Sequence, residues 1–452
     1  MVHQAHNIPW NVFVSNLSWG STKIKGDRII NLHPRGRKDQ GKELTYFLRA
    51  FIRTIQEHTK SERAKYPSHI GAKEPHDIVL NPATVHNITP TVRRWRSYGF
   101  RGDCPSGVCN TFAEKECRCV PIPDEERRAA AFLRPYGQRR CYVFLRDNKD
   151  AFFNIEIVKT LILHGEMEAL LQACALPGVE LAKWWEDSEC QCEYAVLGWD
   201  QVCIKALRAY ICLNTIDSLP ELWDKASGST EETDYRRSRF YQYTLRTCTG
   251  EEDHISEVTT YPHRAFFGIG DNQFRGEYTV PQIRRSHWLR WEPQPRLLYI
   301  KMYDWPRSNH YGKVPIEEFL TLENPAYMGH PPSQSGVALI QSYLFEKGLP
   351  AELVLMVMDL ADYKPIGRLS EPHDPFHPSN RMELDQYVTY CWQLLVRCEM
   401  LASALDMRIP WEKLIADCLV EFFASDRDGQ GRFYWNARDE EGAITHRVFI
   451  KP

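Results

Sequence analysis

The sequence predicts an α+β protein, with a mixed N-terminal region, a helical middle, a small β section and a mainly α-helical C-terminal unit. Three observations lead there. Apolar residues recur at helical spacing in several long stretches, from Leu44 near the start to Leu405 near the end. Between 255 and 305 that period gives way to aromatic and β-branched runs punctuated by Gly268, Gly270 and Gly276. A strand pair around a turn is expected at the C-terminal end, over 432–450. At 452 residues the chain exceeds the roughly 100–200 of one domain. The division read from it is a basic mixed region with a cysteine cluster (1–145), a helical region (146–226), a linker (227–236), a β-containing region (237–334) and the C-terminal unit (335–452).

Each element has a reason. Leu44, Phe47, Leu48, Phe51, Ile52 and Ile55 predict one helical face over 42–59. Pro, Asn and His make 67–91 a loop. Acids at 124–126 suit the first turn of a short helix. A strand is expected at 141–145, then buried helices over 150–176 and 195–213. Residues 227–233 contain nothing apolar to bury and read as the linker. A helix over 335–347 should be capped by Gly348 and stopped by Pro350, with a second helix over 351–363. After a proline-rich loop, Ser379 is placed to cap a long helix with the stripe Leu384, Tyr387, Val388, Cys391, Leu394, Leu395, Cys398, Leu401, Ala402 and Leu405. Pro410 suits the first turn of a further helix.

Net charge is −3, but unevenly spread. Residues 1–140 hold 24 Lys/Arg against 13 Asp/Glu, and the remainder 32 against 46. Such asymmetry suits an anionic partner for the N-terminal third, or attraction between the two halves. No stretch reaches the roughly 18 apolar residues of a membrane span. The N-terminus lacks a basic-then-apolar signal pattern. The expectation is an intracellular protein, cytoplasmic or nuclear, with no membrane association and mostly reduced thiols.

Cys104, Cys109, Cys117 and Cys119 fall within sixteen residues. Two cysteine pairs on a Gly/Pro-rich turn can supply the four soft donors of a structural zinc. A catalytic zinc would instead keep an open position and usually recruit His or carboxylate. The alternative is four reduced thiols on a loop. Cys174, Cys203, Cys212, Cys391, Cys398 and Cys418 lie on apolar helical faces and read as core.

Other constellations carry less. Arg93, Arg94, Trp95 and Arg96 could meet phosphates and bases, or form structural ion pairs and cation–π contacts. His373-Asp374-Pro375-Phe376-His377 is too extended for a helical metal pair and reads as a loop with local turn hydrogen bonds. Phosphate-binding loops, nucleophile elbows and H-E-x-x-H are absent from the sequence.

The string from Leu349 through Pro350, Glu352, Leu353, Val357 and Leu360 follows L-P-x-E-L with apolar residues behind it. It resembles the opening helix of an F-box. The resemblance implies docking on the small adaptor of a cullin-type ubiquitin ligase, with the rest of the chain selecting a substrate. The block Gly336–Tyr434 resembles a recurrent segment of uncharacterised filamentous-fungal proteins. The favoured reading is a non-enzymatic interaction protein with a structural zinc. A zinc-stabilised nucleic-acid binder, or an enzyme of unrecognised type, are the alternatives.

Overall fold

The computed structural model describes residues 7–24, 27–35, 40–68, 70, 78–82, 84–85, 88, 145–176, 181–185, 198–249, 262–267, 310–311, 314–315, 334–361, 369–371, 374–423, 434–438 and 444–449. Helices dominate them, and short antiparallel strand pairs accompany the helices. The α+β expectation therefore stands in outline.

A short helix, α1 (Trp10–Ser15), leads into the strand pair β1 (Leu17–Ile24) and β2 (Asp27–Pro34), in the register Leu17↔Pro34 to Ile24↔Asp27. Helix α2 (Gln40–Arg63) follows. Its predicted face is correct: Leu44, Phe47, Leu48, Phe51 and Ile55 are buried. They meet α1 through ring contacts, with Phe13 stacked on Phe47 and Trp10 edge-on to Phe51. Such pairs add about 0.5–1.5 kcal/mol beyond their buried area.

The helix predicted over 150–176 is two helices, α3 (Leu145–His164) and α4 (Met167–Cys174). Gly165 divides them at φ +78°. Its N–H bonds back to Ile162 O at 3.2 Å, and that of Glu166 to Leu161 O at 3.0 Å. This bonding pair ends a helix on a left-handed residue, which glycine adopts without a Cβ clash. A glycine inside an apolar run was the missed signal. Leu145 also opens α3 and does not close a strand, while 141–144 fall outside the described residues.

Helix α5 (Asp200–Asp217) is buried on nearly every side. The expected start at 195 moves to Asp200. Residues 220–237 make a chain of single 3-10 turns, with Asp224 and Asp234 accepting from the backbone two residues on. Helix α6 (Arg239–Thr249) follows. One core of buried residues includes Leu222 in the first of these turns, Tyr235 in the last, and Phe240 and Tyr241 on α6. Within the expected β section, 262–267 are helical instead, forming α7 (Pro262–Phe267). Phe266 and Phe267 are buried there, and rings packed against a helical neighbour outweigh strand propensity. Farther on come β3 (His310–Tyr311) and β4 (Val314–Pro315).

In the C-terminal unit, α8 (Gln334–Glu346) and α9 (Ala351–Leu360) form a helical hairpin. Gly348 caps α8 as predicted, at φ +83°, with Gly348 N–H to Phe345 O and Leu349 N–H to Leu344 O. The long helix is α10 (Arg381–Ala404). The whole predicted stripe from Leu384 to Ala402 is buried, and so are Trp392, Val396 and Met400 off the stripe. α10 is thus a central helix, packed on α2 and α5. Its cap differs from expectation. Ser379 lies in a preceding 3-10 turn, where its N–H donates to His377 Nδ1, and Asn380 takes the cap position. Helix α11 (Trp411–Phe423) and the pair β5 (Tyr434–Arg438) and β6 (Ile444–Phe449) complete the described fold. The hairpin expected over 432–450 is present.

Cys203, Cys212, Cys391, Cys398 and Cys418 are buried thiols, as core cysteines should be, and Cys174 is half-buried. No helix among the described residues is long and apolar enough to cross a membrane.

Candidate functional site

Three features stand out: a buried polar centre, a surface groove and the α8–α9 hairpin.

The buried centre is built around α10. His263 of α7 and the Tyr387 hydroxyl share a hydrogen bond through His263 Nδ1, and Phe266 stacks on the Tyr387 ring. Burial, then the nearby Lys205 charge, hold the His263 imidazole well below its usual range, at about 3. Burial likewise pushes the Tyr387 and Cys391 hydrogens toward retention. These groups are neutral at physiological pH and sealed from solvent. Their chemistry is structural: a hydrogen-bonded knot inside a helical core.

The groove runs between α2 and α10, lined on α10 from Arg381 to Arg397, with a volume of about 1350 Å³. Trp392 forms part of its lining, and its indole N–H donates to His58 Nδ1 at 2.9 Å. His58 therefore carries its own hydrogen on Nε2. The cations at the rim are engaged. Lys65 pairs with Glu62 at 2.6 Å, and Arg381 with Asp217 at 2.6 Å. Arg397 donates to Ile162 O and Leu163 O. The proline-rich loop beside the groove carries local turn bonds as expected, His377 N–H to Asp374 O at 3.0 Å and Asn380 Nδ2 to Asp374 O and Glu371 O, and a long-range bond from the Tyr235 hydroxyl to Asp374 Oδ1 ties it to the core.

The hairpin differs from both. Val337, Val354 and Met358 form a small core of their own, with Leu344 and Leu349 packed against it. The apolar residues that remain are out in solvent. They include Leu339, Ile340 and Tyr343 on α8, and Leu353, Met356 and Val357 on α9. At about 100° per residue, the three on each helix lie on one flank of the buried seam. Because α8 and α9 run antiparallel, the two flanks fall on the same side. The hairpin so presents one continuous apolar face. Phe345 and Leu355 point to the other side, also exposed.

The residues expected to bind a partner distribute across this hairpin. Leu349 is half-buried in the hairpin's own core. Pro350 starts α9, its carbonyl accepting from Val354 N–H at 3.0 Å. Glu352 is exposed. Leu353 and Val357 lie on the exposed face, and the inward stripe of α9 is Val354 and Met358 instead. Leu360 ends the helix, its side chain outside the described set. The α8 half of the face, Leu339, Ile340 and Tyr343, was missed by sequence reasoning. Its signal is legible in retrospect, since α8 is apolar on more than one side.

Cys104, Cys109, Cys117 and Cys119 lie outside the described residues, as do Arg93, Arg94, Trp95 and Arg96. Among the described residues, no group of three or more His, Cys, Asp or Glu is placed to hold a metal ion.

No curated protein and no solved structure matches the chain. A family model does, that of gramillins biosynthetic cluster protein GRA5, over residues 11–435. The matched span takes in the helical core, the groove and the hairpin together, and includes the 336–434 block that resembles filamentous-fungal proteins. A match over nearly the whole length makes the chain a member of the gramillins biosynthetic cluster protein GRA5 family.

Proposed function

We propose that this protein acts by binding another protein chain, through the apolar face of the α8–α9 hairpin, within a biosynthetic cluster of the kind its family is named for. The observation that carries the reading is the face itself. Large apolar side chains stand exposed on a hairpin whose own core is three residues deep. Contiguous exposed apolar surface on a folded protein marks an interaction site. Neither the groove nor the buried centre offers as much, because their polar groups already serve the fold.

The F-box-like version of this reading puts the adaptor of a cullin-type ubiquitin ligase on the face. Leu353 and Val357 support it by being exposed. The structural zinc at Cys104, Cys109, Cys117 and Cys119 is a proposal beside it, resting on cysteine spacing. The test of the interaction reading is site-directed photocrosslinking from Met356 in the native host. Crosslinks to a second chain are expected. Crosslinks confined to the protein's own chain would show that the face is covered internally and would sink the reading. Recovery of the ligase adaptor among the products decides the F-box-like version.

A further inference from the structure

We infer that the occupant of this face is a second copy of the same chain, two α8–α9 hairpins closing into a four-helix bundle. The inference rests on the interaction reading above and names its partner.

The face has the shape of half a bundle. It is two antiparallel helices wide and about one and a half turns long, over 339–343 on α8 and 353–357 on α9. A hairpin with one apolar side is half of an antiparallel four-helix bundle. A two-fold axis normal to the face would set the two hairpins face to face. Every residue on the face would then meet the same patch of its partner, which is how most soluble oligomers close.

Charge permits the pairing. Residues 339–343 and 353–357 contain no ionisable group apart from the Tyr343 phenol. Self-pairing therefore brings no like charges together in the middle of the face, with Glu346 at its end. A surface evolved for a charged partner would carry the complementary charge, and this one does not.

Area supports it as well. Tyr343 is 52% exposed, Met356 56%, Leu339 52% and Leu353 47%, with Val357 and Ile340 somewhat less. Taking the roughly 200 Å² of an aromatic side chain as an upper value for each, the six together leave at most about 500 Å² of side chain in solvent. Two copies would remove at most about 1,000 Å², the lower limit for a specific interface and the range of weak, concentration-dependent pairs. The size and the shape of the face are met by the same object.

The experiment is sedimentation velocity on the purified full-length chain across a concentration series, with two kinds of variant. Leu353→Glu and Tyr343→Glu each put a charge on the face. Phe345→Glu puts one on the opposite side. All three positions are exposed, so the fold tolerates each charge, and circular dichroism checks that it does. The wild-type chain and Phe345→Glu are expected to dimerise alike. Leu353→Glu and Tyr343→Glu are expected to weaken the dimer at least about thirtyfold, the loss of a central interface residue. A dimer equally strong in all variants overturns the proposal, because its contact lies elsewhere. A monomeric wild type overturns it too. The Met356 crosslinker then separates the two readings: a crosslink to a different protein removes self-pairing and leaves the interaction reading standing, and a crosslink within the chain removes both.

Discussion

The guanidinium of Arg397 occupies the space that a side chain on Gly165 would take. A Cβ built there would lie 2.8 Å from Arg397 Nη2. The arginine uses that space to cap α3, donating from Nη1 to Ile162 O at 2.9 Å and to Leu163 O at 3.2 Å. Tyr390 OH donates to the same Leu163 carbonyl at 2.9 Å. A cation at a helix C-terminus meets both the orphan carbonyls and the negative end of the dipole.

Gly165→Ala should therefore be costly twice over. The residue sits at φ +78°, where an L side chain costs about 1–2 kcal/mol. The new methyl also displaces Arg397 from its carbonyls, at about 1–2 kcal/mol more. Urea denaturation should show a loss of about 2–4 kcal/mol. Arg397→Ala should lose only the second part, and the double variant should cost less than the sum, because both act on one contact.

Asn31 ties three elements together from one buried position. Its Nδ2 donates to Phe422 O at 2.9 Å on α11, and its Oδ1 accepts from Phe240 N–H at 3.2 Å on α6. Asn31→Ala leaves two buried backbone groups without partners, at about 1–3 kcal/mol each. Thermal unfolding should register a drop in Tm for this variant. Asn31→Asp should do no better, since its carboxylate cannot donate to Phe422 O.

How much of this was legible in the sequence depends on what each residue answers to. The α2 face and the α10 stripe were legible because burial of a helical face follows a 3.6-residue period. Gly348 was legible because a glycine followed by Leu349-Pro350 can only end a helix. Gly165 was not, because its flanking residues continue the apolar pattern and only the backbone reveals the break. The inward side of α9 was illegible for a related reason. The run Leu353-Val354-Leu355-Met356-Val357-Met358 is apolar at every position, so periodicity cannot choose a face. Packing against Val337 on the neighbouring helix makes the choice. Asn31 owes its role to partners 209 and 391 residues away and His263 to one 124 residues away, and no local pattern announces such pairs.

His263 should make stability depend on pH. In an unfolded chain a histidine titrates near 6.5. In the fold His263 stays neutral down to about 3, because burial first and the Lys205 charge second oppose its protonation. Between those values the unfolded chain takes up a proton that the folded chain refuses. The stabilisation is complete above about 6.5 and declines as pH falls toward 3. By pH 4 the loss is on the order of 3 kcal/mol from this residue. His263→Gln removes the titrating group. Its unfolding free energy, measured from pH 7.5 to 4.5, should fall less steeply than that of the wild type, whatever its starting value.

The proposed zinc predicts one metal ion per chain. Cys104→Ser or Cys119→Ser should lower that stoichiometry, and a chelator should lower the Tm, because ligand binding to the folded state adds to its stability. Metal analysis that finds no zinc, with a melting curve indifferent to chelator, would leave the four cysteines as free thiols.

The hairpin gives the sharpest contrast between neighbours. Val354 is fully buried against Val337, and Leu353 beside it is largely exposed. Val354→Ala should open a cavity in a core with almost nothing else in it, at about 1–3 kcal/mol to the hairpin's local stability. Leu353→Ala should cost the hairpin only a few tenths of a kcal/mol, since its side chain gives up little burial. Amide exchange over 334–361 reads both, because local opening is set by local contacts. Faster exchange in Val354→Ala and near-wild-type exchange in Leu353→Ala are expected at concentrations too low for association. At high concentration the order should reverse in the interaction assay: Leu353→Ala weakens binding directly, and Val354→Ala only to the extent that the hairpin is open. A Leu353→Ala that unfolds the hairpin as much as Val354→Ala would mean that Leu353 belongs to the core, and the exposed face would lose its centre.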